Sequence, residues 1–214
     1  MKRNLELKHF DFNNYDPVTF LEVADSGLKK LELIHYPALQ VLDCPDNEIS
    51  VLNTRFTPQL LSIECGRNQL TKLDFTKNER LLSLFCSSNP LTSLKLGNHP
   101  DLEYLSFYQS NVCDINLRNM PKLESISCQH NKLEALDLSN VPKLGTLFTN
   151  NNALKELDLK YLPNLGFISC DQNNIEYLDV SCCPKLIDFI CDRSVEVKMR
   201  PDQKRHTRQP RKSN

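Results

Sequence analysis

A spacing of 21 residues, held without insertion or deletion from residue 18 to residue 194, constrains this chain more than any other feature. Counted from Asn47, the equivalent positions are Ser26, Asn47, Asn68, Asn89, Ser110, Asn131, Asn152, Asn173 and Ser194, which makes nine units. Leucine fills a second column at 39, 60, 81, 102, 123, 144, 165 and 186 without exception. Three residues on stand Leu42, Ile63, Leu84, Leu105, Ile126, Leu147, Ile168 and Phe189, and two further on Cys44, Cys65, Cys86, Phe107, Cys128, Thr149, Cys170 and Cys191. Proline recurs at 37, 58, 100, 121, 142, 163 and 184, with Glu79 in the remaining place. A repeat this short cannot bury its own apolar face, so the units must stack on one another and share a core.

Inside a unit the alternation has period two. Leu42 and Cys44 point one way and Asp43 the other, which predicts a short strand in every coil and a parallel sheet along one side of the stack. Asparagine after each strand has the amide needed to satisfy a tight buried turn, and proline opens the return arc, where its missing N–H is not needed. A second apolar step follows, as in Leu136-Asp137-Leu138.

Segments such as LESISCQHNKLEALDLSNVPK (123–143) and LGFISCDQNNIEYLDVSCCPK (165–185) resemble the leucine-rich repeat, LxxLxCxxNxL followed by a short variable arc, in a bacterial-type version of 21 residues. That resemblance implies a leucine-rich repeat solenoid of the α/β class, rich in β: a right-handed curved stack of about nine coils with a parallel sheet on its concave face. Ser110, Ser194 and Thr54 depart from the pattern and imply looser turns at those points.

A solenoid must also be capped. Residues 1–17, with Leu7, Phe10 and Phe12 in phase with the second half of a unit, read as a partial coil at the N-terminus, and 18–194 as the solenoid. Val195, Val197 and Met199 read as a capping strand over 195–199, and 200–214 as a disordered basic tail. The last 17 residues hold seven Lys/Arg against one Asp, leaving −7 for the rest of a chain whose formal charge is −1. An acidic body of this kind does not read as a nucleic-acid-binding domain, so contact with nucleic acid or anionic membrane would rest on the tail.

Composition narrows the function classes. With 40% hydrophobic and 25% charged residues over 214 positions the chain is ordinary globular material. No run reaches the roughly 18 apolar residues of a membrane helix, and the N-terminus lacks the apolar stretch of a secretion peptide. The expected location is the cytoplasm, or a host cell reached through a secretion system that needs no classical signal peptide. Five glycines, at 27, 66, 97, 145 and 166, form no phosphate-cradling loop. Six of the nine cysteines share one core column and read as inert thiols, and Cys170, Cys182, Cys183 and Cys191 have no usual zinc-ligand spacing. The aspartates of the second apolar step, Asp74, Asp137, Asp158 and Asp179, read as solvated positions and not as a calcium row, because Lys95 interrupts them. Nothing predicts a cofactor, a metal or catalysis.

What remains is the outward row of the strands, running from Phe20 and Glu22 through Val41, Asp43, Ser62 and Glu64 to Asp188, Ile190 and Asp192. Phe85, Tyr104, Tyr108, Phe148 and Phe167 recur there among small Ser and Thr, with Gln129 beside them, the mixture of anchors and adaptable polar groups found in protein interfaces. Asp171, Asp188 and Asp192 read as an acidic rim at the C-terminal end. The expected function is therefore a non-catalytic interaction module that binds a protein partner through its concave face, as a bacterial effector or adaptor. The alternative is an adaptor whose basic tail binds anionic membrane or nucleic acid.

Overall fold

The computed structural model describes residues 17–207, and the N-terminal cap expected over 1–17 lies almost wholly outside them. In chain order the strands are β1 (Phe20–Glu22), β2 (Val41–Asp43), β3 (Ser62–Glu64), β4 (Lys72–Asp74), β5 (Ser83–Phe85), β6 (Ser93–Lys95) and β7 (Tyr104–Ser106). They continue as β8 (Ser125–Ser127), β9 (Thr146–Phe148), β10 (Phe167–Ser169), β11 (Tyr177–Asp179), β12 (Asp188–Ile190), β13 (Glu196–Lys198) and β14 (Lys204–His206).

Ten of them form one parallel sheet in the order β1-β2-β3-β5-β7-β8-β9-β10-β12-β14. From β1 to β12 each residue pairs with the one 21 positions on, as Leu42 with Ile63 and Ile126 with Leu147. The second apolar step forms two short parallel pairs, β4 with β6 and β11 with β13. At about 4.8 Å per strand, ten strands make a sheet about 43 Å long.

Between the two rows of strands the leucine column from Leu39 to Leu186 is fully buried, as are Leu42, Ile63, Leu84, Ile126, Leu147, Ile168 and Phe189. Cys44, Cys65, Cys86, Cys128, Cys170 and Cys191 line the core as free thiols. Burial pushes the thiols of Cys44 and Cys128 up to about 12, which keeps them protonated at any physiological pH.

The asparagine column is a hydrogen-bonded spine. Asn68 accepts from the Ile49 N–H at 3.0 Å and donates to the carbonyls of Cys44, Gly66 and Cys65, so one amide ties two coils together. Asn89, Asn131, Asn152 and Asn173 repeat the arrangement. The residue before each column position from Ser26 to Asn173, among them Arg67, Gln109 and Gln172, sits at positive φ. None of these is glycine, and the left-handed conformation costs an ordinary residue about 1 kcal/mol.

The return arcs are built from two consecutive turns. Tyr36 donates to Leu33 O and Leu39 to Tyr36 O, and the same pair recurs along the stack. Each column proline falls at the second position of the second turn, where its fixed φ is favourable. The aspartates of the second apolar step start this arc. Asp74 accepts from the Thr76 N–H, and Asp137, Asp158 and Asp179 accept from the residue two positions on. Side-chain hydrogen bonds to Thr76, Ser139, Lys160 and, for Asp179, Lys198, helped by these backbone bonds, hold the four carboxyls below their usual range, so they are turn-forming groups and not merely solvated ones. At Thr54 the expected loosening is instead a 3-10 turn, Thr54–Phe56, whose buried hydroxyl donates to Asn78 at 2.8 Å and to Asp74 O at 3.0 Å.

The C-terminal end corrects a second expectation. Residues 200–207 are not a disordered tail: β14 continues the large sheet, with Phe189 facing Arg205 in register. Residues 208–214, the rest of that expected tail, lie outside the described residues. The sequence conceals β14 because the spacing shortens to 19 between β11 and β13 and to 16 between β12 and β14. Polar groups close the core here. The buried Gln203 amide donates to the carbonyls of Val180 and Leu186, and the Arg200 guanidinium to those of Ser181, Cys183, Pro184 and Leu186.

Candidate protein-interaction face

Strand alternation turns one side of the large sheet away from the core, and the candidate residues distribute along it. Tyr104, 42% exposed, stands between Ser83 and Ser125 in register. Phe85 lies half-buried between Glu64 and Ser106. Tyr108 is half-buried on the segment after β7, where its N–H is bonded to Ser87 Oγ at 3.1 Å. Gln129 is also half-buried. Phe148 and Phe167 pack ring to ring with centroids 5.3 Å apart at 47°. Stacking along the sheet therefore accounts for part of the aromatic row, and the row divides into Phe85, Tyr104 and Tyr108 on one side and this pair on the other. Hydroxyls link neighbouring coils between the rings, Ser62 with Ser83 at 2.7 Å and Ser87 with Ser106 at 2.8 Å.

The acidic rim expected at the C-terminal end is largely absorbed by the fold. Asp171 is only 2% exposed and accepts from Ser169 Oγ at 2.9 Å, so it offers nothing to a partner. Asp188 is hydrogen-bonded to the His206 imidazole of β14 at 2.7 Å. Asp192 accepts from the Gln172 N–H at 2.7 Å through its side chain, while its backbone carbonyl receives the Arg205 guanidinium.

Carboxylates gather instead at the other end. Glu22, Asp43 and Glu64 lie side by side on β1, β2 and β3, in register. Asp43 and Glu64 line a cleft of about 390 Å³ that Phe85, next to Glu64 in register, and Tyr108 also line. Arg67, at its edge, is held bidentately by Asp46. Burial, with the neighbouring Asp43 carboxylate, holds the Glu64 carboxyl above its usual range against the lowering effects of the Gly66 N–H and Arg67. The sequence carried the signal for this group, since 22, 43 and 64 differ by the repeat length, but their neighbours in the chain are not acidic.

Among the described residues no group of three or more His, Cys, Asp or Glu side chains is placed to hold a metal ion. Cys182 and Cys183, adjacent in sequence, have sulfurs 3.9 Å apart. No helix among the described residues is long and apolar enough to cross a membrane.

Stacked 21-residue coils, a parallel sheet on one side and an asparagine spine define a leucine-rich repeat solenoid. Solved structures similar to it carry the same class. The functional domain of InlJ from Listeria monocytogenes, which includes a cysteine ladder, superposes with a TM-score of 0.78 at 25% identity, over 87% of this chain and 45% of that one. Internalin C2 from L. monocytogenes gives 0.70 at 21% identity, over 81% and 80% of the two chains. A leucine-rich repeat protein of Leptospira interrogans gives 0.67 at 17% identity, over 87% and 59%. This chain thus spans less than half of the InlJ domain it matches. No family model and no curated protein matches the sequence.

Proposed function

We propose that this chain is a non-catalytic interaction module that binds a protein partner through the outward face of its ten-stranded sheet, the concave face in this fold class. The observation that carries the reading is Tyr104, 42% exposed in a row of short hydroxyl side chains, with Phe85 on the adjoining coil and Tyr108 four residues on in its own coil. A large ring on a rigid, already ordered sheet loses little entropy on binding, which is what an interface anchor requires. The likeness to internalins supports the interaction role in general and the bacterial origin. Action as an effector or adaptor, in the cytoplasm or in a host cell, belongs to the same proposal, and nine unbridged cysteines fit a reducing compartment.

The test is affinity capture from bacterial and eukaryotic lysates with the wild type and the Tyr104→Ala/Tyr108→Ala double variant, alongside melting curves. Loss of a captured partner by about 2 kcal/mol or more of binding, with the melting curve nearly unchanged, supports the anchor role. Equal loss of stability assigns the rings to stacking instead. The alternative, a tail that binds anionic membrane or nucleic acid, has fewer carriers than its charge implies, because Arg200 and Arg205 are turned onto backbone carbonyls. Truncation after Thr207 with a salt titration tests it, since such binding weakens steeply with ionic strength.

A further inference from the structure

The row Glu22, Asp43 and Glu64 is unfavourable by itself. Like charges directly opposite one another on neighbouring strands destabilise a sheet, and each coil adds another at the same position. Among the described residues no basic side chain forms an ion pair with Asp43 or Glu64: Arg67 is engaged by Asp46 and offsets the Glu64 charge only from a distance, and Glu64 accepts a hydrogen bond from the Gly66 N–H at 2.8 Å. The Oδ1 of Asp43 is out of solvent with no hydrogen-bond partner. That oxygen is closed to an incoming group, whereas a cation at the mouth of the cleft would relieve the repulsion along the row. The same cleft is lined by Phe85 and Tyr108, and aromatic ring faces attract cations.

We propose that this cleft is a docking site for an arginine or lysine side chain carried by an extended basic segment of the protein partner, its charged head between Asp43 and Glu64 and its stem along Phe85 and Tyr108. The proposal rests on the reading of the sheet face as the binding surface, and it names the chemistry of the partner. The cleft of about 390 Å³ accommodates one long side chain and not a folded element. Charge complementarity then acts twice, in steering the basic segment to the acidic end of the face and in holding it there.

The experiment selects random dodecapeptides displayed on phage against the wild-type protein and measures synthetic winners by fluorescence polarisation. The comparison variants are Asp43→Asn/Glu64→Gln, Tyr104→Ala, and the charge-matched control Glu134→Gln/Glu156→Gln, whose carboxylates are exposed elsewhere. The expected result is enrichment of Lys and Arg, an affinity loss of about tenfold or more in the cleft variant, and little change in the control. The cleft variant is also expected to melt a few degrees higher than the wild type, because removing repelling charges stabilises the empty sheet. Winners without Lys or Arg that depend on Tyr104 but not on the two carboxylates overturn the cleft proposal and leave the binding face standing. A lower melting temperature of the cleft variant assigns the carboxylates a structural role and also overturns it. No enrichment at all overturns both readings.

Discussion

The column asparagine shows how much one side chain does in this chain. Its amide accepts from a backbone N–H of the preceding coil and donates to as many as three carbonyls, groups that the stack removes from water. At Ser110 the amide is missing, and the Oγ is buried without a partner. Ser110→Asn should therefore restore the spine and raise stability by about 1–2 kcal/mol, measured by urea denaturation. The reverse change, Asn89→Ala, should lower it by about 2–3 kcal/mol, because it strands several buried backbone groups. Cysteines give a second check at this scale. Only Cys113 and Cys182 are exposed among the nine free thiols, so a thiol reagent should modify two rapidly in the native protein and the other seven only on unfolding. The aligned sequence columns already place six thiols in the core. What they do not show is the turn bond of Asp74 and its equivalents, because that bond depends on the backbone direction two residues further on.

Elements in this fold are short strands and arcs that have no stability apart from their neighbours. The terminal ones are therefore the ones that need side-chain closure. Gln203 closes the C-terminal end by donating to buried carbonyls, so Gln203→Ala should destabilise the protein by about 1–3 kcal/mol. Truncation after Met199 should lower the melting temperature and fray the last coil first, because it removes Gln203 and β14. His99 is a buried member of an arc column whose other occupants include Met120, Val141 and Leu162. Burial lowers its affinity for a proton, against the opposing pull of Glu79 and the Asn78 carbonyl. The unfolded chain then binds the proton more readily, so this contribution is fully present above about pH 6.5 and is lost as pH falls below it. Denaturation at pH 7.5 and pH 5.5 should show a loss that His99→Met reduces.

The whole molecule behaves as a one-dimensional stack in which each coil touches only its neighbours. A cavity in the middle should separate the stack into weaker halves, while one at an end frays only that end. Leu147→Ala, at a fully buried central position, should cost about 3–5 kcal/mol by denaturation. Hydrogen exchange should then show the coils on both sides of it losing protection, with the terminal coils exchanging fastest in the wild type.

At this scale the division between sequence and tertiary structure is plain. The unbroken 21-residue period by itself determined the coil number, the strand positions, the core columns and the direction of Tyr104, Phe85 and Phe148, because stacking at constant register converts sequence position directly into spatial position. Only the tertiary structure decided where that period ends and which polar groups the fold consumes. Once the spacing shortens to 19 and then 16, Lys204–His206 returns to the sheet, takes up Asp188 and caps the core through its neighbours. Asp171 turns inward onto Ser169, whereas Glu22, Asp43 and Glu64 stand in a row on the face with no ion-pair partner among the described residues. Whether a carboxylate is buried, bonded or bare depends on what lies one coil away, and at the capped end that neighbour no longer follows from counting.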